Sequence, residues 1–209
     1  MGMVRPPVAR NARSRVPRSI VVLILAASAC GGGNGGNGGN GGNGGGGNPA
    51  QTAQSCGGTL PDAQAMANWT HRQGQHFAYF VPDPNWVVVE SANSIDISSP
   101  TGDAVATFAF AYGVAVPTTI AGLEDIVWMG YASHQIIAQS QIMAGGPGQE
   151  QTVEFTGLWN YTNHQVHGIF TAGVGSQIAQ VYLTQANVEV WAADACTLLL
   201  IRFHITYTG

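Results

Sequence analysis

Three cysteines are the side chains of this 209-residue sequence best suited to covalent chemistry: Cys30, Cys56 and Cys196. Cys30 stands between the small residues 27–29 and a long run of glycine and asparagine. An odd number of cysteines in an exported chain leaves one thiol that an internal disulfide does not use. A modification of Cys30 would account for that thiol and leave Cys56 and Cys196 as a pair.

The start of the chain predicts export. Five arginines precede residue 19, and the apolar run IVVLILAASA occupies residues 20–29. A basic start, a short apolar core and small residues before a cleavage point are typical of a secretory signal peptide. The run is too short for a membrane-spanning helix, which needs roughly 20 residues. Residues 1–29 are therefore predicted to be a signal peptide.

The segment Ala27-Ser28-Ala29-Cys30 resembles the lipobox of bacterial lipoproteins, although that family prefers leucine at the position of Ala27. The resemblance implies that the thiol of Cys30 receives a diacylglycerol and that its amine is acylated, which would hold the protein on a membrane of the bacterial cell envelope. Ala27 and Ala29 also fit the cleavage rule of a soluble secreted protein, so that alternative stays open.

The segment after Cys30 predicts a flexible tether. Residues 31–48 are only glycine and asparagine. Glycine loses the most backbone entropy on ordering, and no apolar side chain is available to offset that loss. We expect residues 30–55 to be a disordered spacer, which at roughly 27 residues would span on the order of 30 Å. The folded domain is predicted to run from residue 56 to residue 209.

Cys56 and Cys196 are predicted to form a disulfide, because export would place both in an oxidising compartment. The bond would join the start of the domain to its last predicted helix. The alternative is that Cys196 is a small buried apolar residue and Cys56 is a free thiol.

The charge of the exported part limits its partners. The sequence has no lysine, and after Cys30 only Arg72 and Arg202 face all eleven acidic residues, a formal charge of −9. Nucleic-acid affinity depends on lysine and arginine at phosphates, so we expect no binding to DNA or RNA. The acidic balance suits either simple solubility or a cationic partner.

Other candidate sites are weak. His164 and His167 are three residues apart, which on a strand places them on opposite faces, so they are predicted to be surface side chains rather than metal ligands. No G-x-S-x-G motif is present. Trp128 and Trp159 are more typical of packing residues, but they could line a cleft between helix and sheet. No catalytic residue, metal or cofactor is predicted.

The order of elements predicts an α+β domain in which helices pack on an antiparallel sheet. Ile120, Leu123, Val127 and Tyr131 have helical spacing. A last helix is predicted over about 186–200, although the residues that follow alternate as in a strand. The predicted strands are HFAYFV, WVVVESAN, SIDISSP, DAVATFAFAYG, QEQTVEFTGLWNY, HQVHGIFTAGVG and SQIAQVYLTQA. The strands before the central helix are expected to form one meander.

This order resembles the PsbP-like superfamily, which includes exported bacterial lipoproteins. The resemblance covers about Phe77 to Tyr207 and rests on FAYFVPDPNWVVVES, GLWNYTNHQVHGIFTA and WAADACTLLLIRF. It implies a PsbP-like sandwich and a binding or assembly module without chemistry of its own, whose partner is a protein or small molecule. The lack of lysine departs from the basic docking surfaces of the photosystem members and argues against a photosynthetic role. An exported hydrolase with an unrecognised active site is the alternative.

Overall fold

The computed structural model describes residues 66–113, 116–145 and 148–209. The N-terminal 65 residues, with the predicted signal peptide, tether and first two cysteines, lie outside them. The helices in the described part are α1 (Ile120–Trp128) and α2 (Val188–Phe203). The strands are β1 (Thr70–Gln73), β2 (Phe77–Val81), β3 (Val87–Glu90), β4 (Ser94–Ser98), β5 (Ala104–Tyr112), β6 (Tyr131–Gln139), β7 (Met143–Ala144), β8 (Gln149–Trp159), β9 (Gln165–Val174), β10 (Ile178–Asn187) and β11 (Thr206–Tyr207).

The strands form two antiparallel sheets. The larger sheet has the order β3-β4-β5-β10-β9-β8-β6, and β7 pairs with β8. The smaller sheet has the order β1-β2-β11. Antiparallel sheets with two helices in the described part confirm the predicted α+β class.

The predicted meander is correct only in part. β3, β4 and β5 pair in sequence, as expected. The prediction is wrong for β2, which pairs with β1 and β11 in the smaller sheet instead of with β3. Its inward-facing residues Phe77, Tyr79 and Val81 are buried in the same core as α2. Burial against that helix, which is distant in sequence, separates β2 from the neighbouring strands.

Helix α1 is shorter than its apolar spacing predicts, and Tyr131 begins β6 instead of ending the helix. The Thr119 hydroxyl accepts a hydrogen bond from the Gly122 N–H (3.1 Å) and starts the helix. The far end is decided by Asn160, whose backbone N–H donates to the Gly130 carbonyl (3.0 Å) and whose side-chain amide donates to the Met129 carbonyl (3.1 Å). These carbonyls would otherwise accept from the next helical turn.

Helix α2 extends three residues beyond its predicted end, and the alternating residues after it form only the two-residue strand β11. Residues 198–202 are all buried. A strand that packs on one sheet buries only every second residue. The end of α2 instead lies between the larger and the smaller sheet, so it buries apolar residues on more than one side.

The two helices belong to two cores on opposite faces of the larger sheet. Leu123 and Val127 of α1 pack with Phe155, Phe170 and other residues of one face, here called the first core. The buried residues of α2 pack with the other face and with β2, here called the second core. The two faces are distinct because successive strand residues point to opposite sides. Among the described residues, neither helix combines the length and apolarity that a membrane crossing requires.

Candidate functional site

Polar side chains line part of the face of the larger sheet on which α2 packs. α2 packs against β10 and β5 and reaches β9. Beside it, Thr156 of β8 is the register partner of His167 of β9, and Thr152 is the partner of Thr171. Together with Glu154 these residues form what we call the polar strip. They alternate along the two strands with apolar residues of the first core, so the strip lies on the α2 side.

One end of the polar strip holds a histidine–carboxylate pair. The His167 Nε2 atom lies 2.8 Å from Glu154 Oε1, and the residue Glu154 is 8% exposed. The imidazole stacks on the Trp191 indole of α2, with centroids 4.4 Å apart and planes inclined by 13°. The His167 side chain is 22% exposed, because α2 covers part of it. His164 is exposed, as predicted.

A second polar contact fixes the beginning of α2. The Asn187 side-chain amide donates to Asp103 Oδ1 (3.1 Å) and also lies 3.1 Å from His164 Nδ1. His164 and His167 thus have different partners. Within the described ranges, no group of three or more histidine, cysteine, aspartate or glutamate side chains has a geometry that could hold a metal ion.

The other end of the polar strip holds Arg202, a buried cation of α2. Its side chain donates from Nη2 to Thr171 Oγ1, and the hydroxyls of Thr171 and Thr152 lie 2.8 Å apart. The Arg202 Cζ atom lies 5.6 Å from the ring centroid of Tyr182 and 5.6 Å from that of Phe203. Burial lowers the pKa of Arg202 to about 10, against smaller opposing effects of Tyr182 and Glu150, so the guanidinium is charged at neutral pH.

The first core contains polar groups of its own. The buried Tyr131 hydroxyl donates to Gln185 Oε1 across the sheet. The Gln185 Nε2 group and the indole N–H of Trp159 are buried without a hydrogen-bond partner in the described part of the chain. Trp128 stacks on His134, with centroids 4.0 Å apart, and packs edge-on against Phe155 and Phe170. Trp128 and Trp159 thus pack against the same core.

The buried Tyr131 hydroxyl should make the domain less stable at alkaline pH. Burial raises the pKa of Tyr131 far above its usual value near 10. Only the unfolded chain therefore ionises this tyrosine as the pH rises above about 10, and stability falls by about 1.4 kcal/mol per pH unit. We expect Tyr131→Phe to remove this part of the alkaline slope and to lower stability near pH 7 by about 1 to 3 kcal/mol, because Gln185 loses its donor.

Denaturant unfolding between pH 7 and pH 11 measures both effects. Tyr161→Phe is the matched control, since Tyr161 is 45% exposed. It should leave the slope unchanged. Equal slopes for wild type and Tyr131→Phe would contradict the expectation.

The predicted cysteine sites are only partly within the described residues. Cys30 and Cys56 lie outside them. Cys196 lies half-buried on α2. It is disulfide-bonded, and its partner sulfur is not among the described residues. Lipidation of Cys30 and the pairing of Cys56 with Cys196 therefore stay predictions.

No protein-family model matches the sequence, and no curated protein matches it. Solved structures similar to this chain include proteins from three bacteria. A cyanobacterial PsbP (CyanoP) from Synechocystis sp. PCC 6803 is 10% identical, with a TM-score of 0.44, over 68% of this chain and 94% of that one.

Two further similar structures come from Mycobacterium tuberculosis and Pseudomonas aeruginosa. LpqN, which is involved in cell envelope biogenesis of Mycobacterium tuberculosis, is 11% identical to this chain, with a TM-score of 0.36. The match covers 68% of this chain and 90% of LpqN. A protein of unknown function from Pseudomonas aeruginosa is 7% identical to this chain, with a TM-score of 0.38. The match covers 62% of this chain and 90% of the Pseudomonas protein.

Sequence reasoning missed the polar strip and Arg202. Glu154 and His167 are thirteen residues apart, and only the antiparallel pairing of β8 and β9 brings them together. A signal for Arg202 did exist. It is one of two arginines after Cys30 and interrupts the apolar run LLLIRF, where a charge needs a reason to be buried.

Proposed function

We propose that the protein is an exported lipoprotein of a bacterial cell envelope, held on a membrane by Cys30. The observation that carries the proposal is the position of Cys30 between a signal-type segment and a glycine–asparagine run. In this proposal residues 1–29 are the signal peptide, residues 30–55 are the lipidated tether, and residues 56–209 are one domain with a PsbP-like sandwich. The tether would let the domain reach a partner away from the lipid surface.

The domain is proposed to bind or assemble rather than to catalyse. The hydrolase alternative calls for a serine or histidine beside a carboxylate, and His167 with Glu154 meets that description. A nucleophilic mechanism also needs a hydroxyl or thiol within hydrogen-bond reach of the base. Among the described residues, the His167 ring is hydrogen-bonded to Glu154 alone, and Trp191 stacks on its face. This arrangement favours a fixed packing role for the pair.

The partner is proposed to be a protein or a small molecule and not a nucleic acid. Two arginines and no lysine after Cys30 provide little charge for phosphate backbones. The negative charge would also keep the domain away from anionic lipid head groups. The lipid on Cys30 would thus be the membrane contact.

Lipidation of Cys30 is directly testable in a bacterial host that processes lipoproteins. Cells grown with an alkyne fatty acid should label the wild-type chain, and Cys30→Ser should lose the label and move from the membrane to the soluble fraction. Two or more acyl chains anchor a protein stably, so the change of fraction should be nearly complete.

Cys56→Ser is the matched control and should keep both the label and the membrane fraction. Equal labelling of wild type and Cys30→Ser would exclude Cys30 as the attachment site. A wild-type chain that is exported without any label would support the soluble secreted alternative.

A further inference from the structure

Arg202 is a buried cation with few partners. It is 9% exposed, and the guanidinium has five N–H donors. Among the described residues, its side-chain hydrogen bond goes to the neutral Thr171 hydroxyl, and no carboxylate forms an ion pair with it. Glu150 acts on it electrostatically from a greater distance. A buried charge is costly unless it is paired, and a hydroxyl supplies no opposite charge.

Aromatic side chains surround this guanidinium. Tyr182 and Phe203 each lie with the ring centroid 5.6 Å from Arg202 Cζ, within range of a cation–π contact. Tyr182 stacks on Phe108, with centroids 4.3 Å apart, and Phe108 in turn contacts Phe110. The aromatic cluster therefore continues from Arg202 along β10 and β5.

Exposed rings lie at both ends of this cluster: Phe203 beside Arg202, and Tyr112 and Tyr207 beside Phe110. The two rings next to the guanidinium, Tyr182 and Phe203, are here called the aromatic rim. Phe110 contacts Tyr112 at 5.3 Å and Tyr207 at 4.8 Å between centroids. Tyr112 is 68% exposed, Phe203 53% and Tyr207 43%. The exposed Phe203 ring beside the small exposed part of Arg202 offers both an apolar and a charged contact to one ligand.

We propose that Arg202 and the aromatic rim bind a small organic oxyanion, a carboxylate or a phosphate monoester that carries an apolar or aromatic body. The inference rests on the proposed binding role and deepens it, but it is independent of the lipid on Cys30. The guanidinium fork binds either oxyanion through two parallel hydrogen bonds. Thr171 holds Arg202 from one side and leaves most of its donors for the ligand.

The charge distribution makes this site local and selective. Eleven acidic residues and a formal charge of −9 after Cys30 repel anions from the surface as a whole. A guanidinium in a poorly solvated place attracts an anion more strongly than an exposed one does. Arg72, the other arginine of the exported part, donates to the Pro84 carbonyl (3.3 Å) at an exposed position. Arg202 is therefore the cation suited to hold an anionic ligand.

The test is thermal unfolding of the full chain with chemically defined probes. Benzoate and phenyl phosphate represent the two oxyanions, benzyl alcohol has the apolar body without the charge, and sodium chloride matches the ionic strength. A probe at about 100 times its dissociation constant should raise the melting temperature by about 5 to 10 °C for a domain of this size. A rise with only one of the two oxyanions supports the site and identifies the head group that it prefers.

Variants decide whether Arg202 is responsible. Arg202→Met should lose the probe-dependent rise. Arg202→Lys should bind the probe about tenfold more weakly and so lose about half of the rise, because lysine lacks the planar fork. Arg72→Met is the matched control and should keep the full rise. If Arg202→Met does not fold, the comparison of wild type, Arg202→Lys and Arg72→Met still decides the question.

Three results would overturn the proposal. They are a wild-type rise no larger than that with sodium chloride, an equal rise with benzyl alcohol, and an undiminished rise in Arg202→Met or Arg202→Lys. Inorganic phosphate should raise the melting temperature less than phenyl phosphate does. An equal rise would show that the aromatic rim does not contact the ligand. Each readout is independent of fatty-acid labelling, so failure here and failure of the lipoprotein proposal are distinguishable.

Discussion

Reducing the predicted bond between Cys56 and Cys196 should lower the free energy of unfolding by up to about 5 kcal/mol, because the bond closes a loop of about 140 residues in the unfolded chain. Strain and residual structure make this an upper value. Cys196 lies on α2, which packs against β10, β5 and the smaller sheet. A bond there would join the entry of the domain to an element that contacts both sheets.

Denaturant unfolding with and without a reductant measures this contribution, and Cys56→Ser should reproduce the reduced state. Cys30→Ser is the matched control and should unfold as wild type does. Peptide mapping of the unreduced chain should recover a linked Cys56–Cys196 peptide. Two free thiols at these positions in the denatured, unreduced chain, or a linked Cys30–Cys196 peptide, would contradict the prediction.

Phe170→Ala should destabilise the domain by about 3 to 5 kcal/mol, the range for removing a buried phenylalanine ring. Phe170 is fully buried in the first core, where its ring lies 5.1 Å from that of Trp128 and 5.9 Å from that of Phe155. Its loss would leave a cavity between β9 and α1 that the rigid sheet cannot close.

The measurement is the midpoint of denaturant unfolding, with Phe203→Ala as the matched control. Phe203 is 53% exposed, so its removal should change stability by about 0.5 kcal/mol or less. A loss below about 1 kcal/mol in Phe170→Ala would show that the first core can collapse around the missing ring.

Much of the strand content could be predicted from the sequence because it depends on local patterns. Strand patterns predicted β4, β5, β8, β9 and β10. Asn163, with a positive φ of 57°, lies between the predicted strands QEQTVEFTGLWNY and HQVHGIFTAGVG. The α+β class followed from the order of these elements. The Cys30 motif and the glycine-rich run are also local signals, and they support a prediction about export without any knowledge of the fold.

Only the tertiary structure decided how these elements meet. The periodicity of Tyr131 suits a helix, but Asn160 takes the carbonyls that would continue α1, so Tyr131 begins β6. Glu154 and His167 pair because β8 and β9 are in register. Arg202 lies in a run that reads equally well as helix or strand, and its burial beside Thr171 and Tyr182 depends on contacts between α2 and distant strands. Sequence patterns report local backbone preference, whereas the candidate anion site depends on packing between segments far apart in the chain, which no local pattern encodes.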